Sequence, residues 1–125
     1  MSRSARGDRV ASILIVDDEP DVRFLIRLIF EQAGHQVTEA PNGAAALKHI
    51  VEQLPDLVVT DIMMPVMNGA ELMARLRADP VMSGIPILAV TGNPDRAGAA
   101  DATLTKPFSP EELATVGASL LKARA

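Results

Sequence analysis

Short apolar runs alternate with longer stretches of helical spacing along the chain. β-type runs occur at Ile13–Val16, at Gln36–Glu39 around Val37, at Leu57–Thr60, at Ile87–Val90 and, more weakly, at Ala102–Leu104. Between the first two lies Pro20–Ala33, which starts with Pro in a first-turn position and spaces Val22, Leu25, Ile26, Leu28, Ile29 and Phe30 as a broad apolar face before Gly34 ends it. A second helix is predicted from about Asn42 to Gln53, with Ala46, Leu47, Ile50 and Leu54 as one buried stripe, Asn42 as its cap and Pro55 as its stop. A third spans about Gly69 to Ala78 with Leu72, Met73 and Leu76 inward. The last opens at Ser109, where Ser followed three residues later by Glu112 makes a capping box.

Strands alternating with helices predict an α/β fold, a parallel sheet with helices on both faces. Leu57–Val59 and Ile87–Val90 are apolar without alternation, as central strands covered on both sides should be. One connection breaks the rhythm. Only about ten residues, Gly92–Asp101, join the fourth run to the fifth, which is the lower limit for a crossover, and Gly98 weakens any helix within it. This segment is expected to be the most mobile.

Composition narrows the class. With 125 residues, 48% apolar and 22% charged, the chain can bury one core, so disorder is excluded and one domain is expected. The absence of cysteine removes disulfides and thiolate zinc sites. Met1–Ala11 carries Arg3, Arg6, Asp8 and Arg9 without an apolar core, unlike a secretory signal. The longest uncharged stretch, Pro80–Pro94, is cut by Gly84, Pro86 and Gly92, which argues against a membrane span. A cytoplasmic protein is expected, with a flexible extension over residues 1–11 and its folded domain over residues 12–125. The net charge is -4 and the basic excess is confined to the tail, so neither nucleic acid nor membrane is an expected partner.

In an open parallel sheet, ligands bind beyond the carboxyl ends of the strands. Asp17 and Asp18 follow the first run, Asp61 the third, Thr91 the fourth and Lys106 the fifth. One polar residue after one strand is ordinarily a strand meeting water, and Asp17 and Asp18 could simply cap the helix at Pro20. The joint pattern says more. Carboxylates converging to ~4 Å repel by roughly 4 kcal/mol per pair at an effective dielectric near 20. A hard, oxygen-seeking cation such as Mg2+ offsets that repulsion, and Lys106 adds a second positive charge. The chemistry this favours is phosphoryl transfer to Asp61, giving an aspartyl phosphate, with the Thr91 hydroxyl on a phosphoryl oxygen and Gly92 leaving room for the group. Met63, Met64 and Met67 read as loop and core filler, Pro65, Asn68 and Gly69 as a turn, and His35 and His49 as bystanders. No Gly-rich phosphate loop supports a nucleotide site.

The stretches ILIVDDEP (Ile13–Pro20) and DIMMPVMNG (Asp61–Gly69), the Thr91-Gly92 pair and Lys106-Pro107-Phe108 closely resemble the receiver domain of two-component response regulators, over about Ser12–Leu121. The resemblance implies a flavodoxin-like doubly wound sheet in the order 2-1-3-4-5 with Asp61 as phosphoacceptor. By position, it implies that Asp18 and Asp61 bind Mg2+ directly, Met63 through its backbone carbonyl and Asp17 chiefly through water. It further implies that Glu19 supports the cluster from outside, that Thr91 is the switch hydroxyl, that Lys106 contacts the phosphoryl group, and that the Lys106-Pro107 peptide is cis. Two departures stand out. Thr103 occupies the place of an aromatic residue whose ring ordinarily follows the Thr, and the fourth helix, between the fourth and fifth strands, has room only to be shortened or disordered. Both resemble the stand-alone receivers called FATGUY. The expected role is a single-domain response regulator, phosphorylated by a histidine kinase or histidine phosphotransfer protein, that signals by protein contact or phosphorelay and reorders Gly92–Asp101 on phosphorylation. A phosphatase of the haloacid-dehalogenase type would need a second Asp at position 63, where Met63 stands. The alternative is a constitutive protein-interaction module.

Overall fold

The computed structural model describes residues 10–93 and 98–124. Among these residues nine elements follow in order: β1 (Ser12–Val16), α1 (Pro20–Gln32), β2 (Gln36–Ala40), α2 (Gly43–Glu52), β3 (Leu57–Thr60), α3 (Gly69–Ala78), β4 (Ile87–Thr91), β5 (Ala102–Thr105) and α4 (Pro110–Arg124). The strands form one sheet in the order β2-β1-β3-β4-β5, and every neighbouring pair is parallel, with Ile13 opposite Leu57 and Leu88 opposite Ala102. This is the α/β flavodoxin-like arrangement expected.

Two cores lie on opposite faces. On one, α2 and α3 press Ala46, Ile50, Leu72, Met73 and Leu76 against Leu14, Val58 and Ile87. On the other, α1 and α4 press Ile26, Ile29, Phe30 and Leu113 against Ile13, Ile15, Val59 and Leu88. The wholly buried β3 and β4 therefore carry apolar side chains towards both cores.

The broad apolar face expected on the first helix is narrower in the fold. Ile26, Ile29 and Phe30 are buried, whereas Leu25 and Leu28 are exposed together with Phe24, because a sheet covers only a stripe of a helix's circumference. Leu54, placed in the buried stripe of the second helix, lies beyond its end and is exposed. Asn42 caps α2 by accepting the Ala45 N–H at 2.8 Å, and the Ser109–Glu112 box at α4 is formed in both directions at 3.0 Å. A third cap, Asn68 with Glu71, opens α3. Capping of α1 by Asp17 or Asp18 is not found. The N-cap residue is Glu19, without a side-chain bond, and Asp17 Oδ1 instead accepts the Glu19 N–H at 2.9 Å.

Ala11, grouped with the N-terminal extension in sequence, is buried. Its N–H donates to His35 Nδ1 at 3.0 Å, so His35 has a structural task. Val10 before it is exposed, and residues 1–9 of that extension fall outside the described residues. In the short β4–β5 connection, Gly92, Asn93 and Gly98–Ala100 carry neither helix nor strand. The expectation of a shortened or disordered helix there falls on residues 94–97, which are also outside them. Among the described residues no helix is long and apolar enough to cross a membrane.

Candidate functional site

The loop after β3 is folded tightly back on its own strand. Gly69 N–H donates to the Ile62 carbonyl at 2.8 Å, and a Cβ on Gly69 would run into the Asp61 carbonyl and stand 2.8 Å from Ile62 Cα. Only glycine permits that approach. Between them Val66 takes a φ of 70°, a left-handed conformation costly for a β-branched residue, and its side chain points into solvent. The return leaves Asp61 buried at the base of the loop, where Oδ1 accepts the N–H of Ile62 at 2.7 Å and, more weakly, of Met63 at 3.4 Å. The preceding Thr60 hydroxyl donates to the Asp61 carbonyl at 2.8 Å.

β1 and β5 deliver the other charged groups. Asp17 is almost fully buried, while Asp18 and Glu19 are exposed. Carboxylate oxygens of Asp17, Asp18, Glu19 and Asp61 lie within 4.8 Å of one another. Lys106 enters from the end of β5, its Nζ 3.1 Å from Asp61 Oδ2, 3.4 Å from Asp17 Oδ2 and 3.8 Å from Glu19 Oε1. Its backbone N–H donates to the Thr91 carbonyl, and the Lys106-Pro107 peptide is cis, as expected. Thr91 is fully buried at the end of β4, with its Oγ1 accepting the Asn93 N–H at 3.1 Å, which leaves the hydroxyl proton free to be donated elsewhere. A Cβ on Gly92 would touch nothing, so there is open space beside it.

Burial raises the Asp17 carboxyl above its ordinary value; the Glu19 N–H and Lys106 counter this only in part, and Asp61 adds to the rise. For Lys106 burial acts downward, but Asp17 and Asp61 together outweigh it and the ammonium is held above its usual range. Three carboxylates thus share one ammonium, Asp18 adds a fourth beside them, and the uncompensated negative charge is carried by oxygen atoms alone. That donor set suits a hard divalent cation and no soft one.

Every residue proposed from the sequence for the chemistry lies at this one edge. Asp17, Asp18 and Asp61 bring carboxylate oxygens within 4.8 Å of one another, Lys106 bonds Asp17 and Asp61, Thr91 sits at the adjoining strand end, and Met63 touches Asp61 through its backbone while its side chain is exposed. Glu19, expected to support the cluster from outside, brings a carboxylate oxygen within 4.8 Å of the others. Two supports had no sequence signal: the Thr60 hydroxyl, and Arg23, whose guanidinium donates to the Asp17 carbonyl at 2.7 Å.

The response regulator receiver domain family matches residues 13–116, and the chain belongs to that family. It is 43% identical over 108 residues to an uncharacterized 14.6 kDa protein of Leptolyngbya boryana, covering 81% of this chain and 82% of that one. It is 40% identical over 109 residues to the phosphate regulon transcriptional regulatory protein PhoB of Pseudomonas aeruginosa, covering 82% of this chain but only 48% of PhoB. The chain thus spans about half the length of that relative. Among solved structures, the response regulator TrrA of Thermotoga maritima in complex with Mg(2+)-BeF superposes with a TM-score of 0.81 at 31% identity, covering 89% of this chain and 99% of that one.

Proposed function

We propose that Asp61 is the phosphoacceptor of a response regulator, taking its phosphoryl group from a histidine kinase or histidine phosphotransfer protein. The observation that carries this is the Lys106 ammonium 3.1 Å from a buried aspartate within an acidic, all-oxygen cluster at the carboxyl edge of the sheet. With Oδ1 held by backbone N–H groups, Asp61 presents Oδ2 for attack. The Oδ2–P bond forms as the donor's N–P bond breaks, and the leaving imidazole takes up a proton from water. Lys106 and the Thr91 hydroxyl neutralise charge on the phosphoryl oxygens.

Asp18, Asp61 and the Met63 carbonyl would hold Mg2+ directly, and Asp17 would hold it through water, with Glu19 beside them. When bound, the ion supplies charge stabilisation to the transferring group and relieves the carboxylates' mutual repulsion. The Mg(2+)-BeF complex of TrrA supports this assignment. In this reading the receiver domain comprises residues 12–125 and signals by protein contact or onward transfer. On α1, the helix that follows Asp17, Asp18 and Glu19 in the chain, the exposed Phe24, Leu25 and Leu28 offer the phosphodonor an apolar seat.

Intact-mass analysis after incubation with Mg2+ and acetyl phosphate tests the proposal. One added phosphoryl group is expected, absent in Asp61→Asn and prevented by a chelator. Failure both with acetyl phosphate and with a panel of phosphorylated kinases would leave a constitutive interaction module.

A further inference from the structure

Away from the acidic edge, one guanidinium ties three segments together. Arg77, in the last turn of α3, donates through Nη1 to the carbonyls of Ser83 and Ile85 at 2.8 and 2.9 Å. Through Nε and Nη2 it reaches the Ala99 carbonyl at 3.3 and 3.0 Å, and Nη2 also meets Asp101 Oδ2 at 2.7 Å. The same Asp101 oxygen accepts the Ile87 N–H at 2.7 Å, while Asp101 N–H donates to the Ile87 carbonyl at 2.9 Å. A side chain therefore completes a rung just before the first registered β4–β5 pair, Leu88 with Ala102.

That rung matters because β5 is poorly held. It has four residues and pairs with β4 alone. Ala102 and Leu104 pack towards α1 and α4. Thr103 and Thr105 alternate with them, so they point to the other face, and both are exposed. At the far end of this strand stands Lys106, whose placement decides whether its ammonium meets Asp61. We propose that Arg77 is a positioning residue for Lys106: by locking the Asp101 carboxylate into the β4–β5 ladder it fixes the register of β5 and so delivers the ammonium to the site. Its planar fork spans carbonyls and carboxylate together, which a lysine's point charge does not. The inference rests on the reading of Lys106 as the phosphoryl contact.

The test uses the full chain with Arg77→Met, which keeps the apolar stem, and Asp101→Asn, which keeps an acceptor for the Ile87 N–H but removes the charge. Three quantities are read well below the melting temperature: amide exchange at Ile87, Lys106 and Leu14; Mg2+ affinity; and the rate of phosphorylation by acetyl phosphate at saturating Mg2+. In Arg77→Met the Ile87 and Lys106 amides are expected to exchange about 10-fold faster with Leu14 unchanged, a local opening. The rate is expected to fall roughly 10-fold with Mg2+ affinity not weakened, since the metal ligands lie on β1, β3 and their loops and a displaced ammonium competes less for them. Asp101→Asn should follow in weaker form. Uniform acceleration at Leu14 and Lys106, or an unchanged rate, would overturn the proposal and leave Arg77 a general staple. Should the native chain take no phosphoryl group, the functional reading falls, whereas the exchange pattern still decides whether Arg77 places Lys106.

Discussion

Asp61 turns its two carboxylate oxygens to different kinds of partner, Oδ2 to the Lys106 ammonium at 3.1 Å and Oδ1 to the Ile62 N–H at 2.7 Å. The ammonium is the one cation within 4.0 Å of the cluster's carboxylate oxygens among the described residues. It therefore both offsets part of the negative charge of the resting site and competes with any cation for the same oxygens.

Replacing it separates these roles. Lys106→Met is expected to bind Mg2+ more tightly, because a competing positive charge is gone, and yet to accept phosphate from acetyl phosphate about 100-fold more slowly, as when a transition-state charge partner is removed. Calorimetric Mg2+ titration and intact-mass kinetics check the two arms. Weaker Mg2+ binding would show that Lys106 shapes the site rather than competing within it.

Asp17 predicts a stability effect of unusual sign. Its folded-state carboxyl is raised, chiefly by burial, above an unfolded value of about 3.9. The fold therefore favours the protonated form, stability falls as pH rises through the window above about 3.9, and the cost is complete once the folded group has ionised. At neutral pH without Mg2+, Asp17→Asn should melt higher than the native chain. Saturating Mg2+ should reverse the order, since a ligand at one hundred times its Kd stabilises the native chain by about 2.7 kcal/mol. With no Trp or Tyr in the chain, far-UV circular dichroism is the suitable probe. A lower melting temperature for the metal-free variant refutes the account.

How much of this was legible in sequence depends on the kind of interaction. Elements written in periodicity, Pro20 at a helix start or the unbroken Leu57–Thr60 run, appear in the fold within a residue or two. The site was legible because strand ends in a parallel sheet share one edge, so Asp17, Asp61 and Lys106 converge without any contact being known. The Asn68–Glu71 box was visible as Asn-x-x-Glu and went unread beside the turn signal of Pro65 and Gly69. Burial on α1 was overestimated because periodicity ranks a face but not the width of surface that covers it, hence the exposed Leu25 and Leu28. Arg77 was unreadable: most of its bonds go to backbone carbonyls, which every residue possesses.

The edge strand β2 is held to α1 by a charge cluster with its own pH signature. Glu39 accepts from Arg23 Nε at 2.9 Å and Arg27 Nη1 at 3.0 Å, and Arg27 also meets Glu31. Burial pushes the Glu39 carboxyl upward, but Arg27 and Arg23 outweigh it and hold it below its ordinary value. The stabilisation is therefore present above the unfolded value of about 4.3 and is lost as pH falls through the folded one. Glu39→Gln should cost about 0.5–1 kcal/mol at pH 7, allowing for solvent screening of a half-exposed network. The gap to the native chain should close in acid and narrow in high salt. Urea denaturation across pH 3–7 measures this, and a gap independent of pH would assign the loss to packing instead.

Gly117 lies in the middle of α4, where a helix would ordinarily gain about 1 kcal/mol from alanine. Here the neighbours decide otherwise. A Cβ at 117 would stand 2.5 Å from Phe30 Cε1 and 2.7 Å from Cζ, and Phe30 is packed among the buried residues of the core beneath α1 and α4. Its ring cannot swing aside without leaving a gap, so the strain of overpacking, about 1–3 kcal/mol, exceeds the gain in propensity. Gly117→Ala is expected to lower the urea midpoint with the denaturant slope unchanged. In a Phe30→Leu background, which is itself destabilised, the same change should become neutral or stabilising, because the atoms it would meet are gone and only the helix preference remains. If Gly117→Ala costs the same in both backgrounds, the close approach of α4 to Phe30 is not what selects glycine at this position.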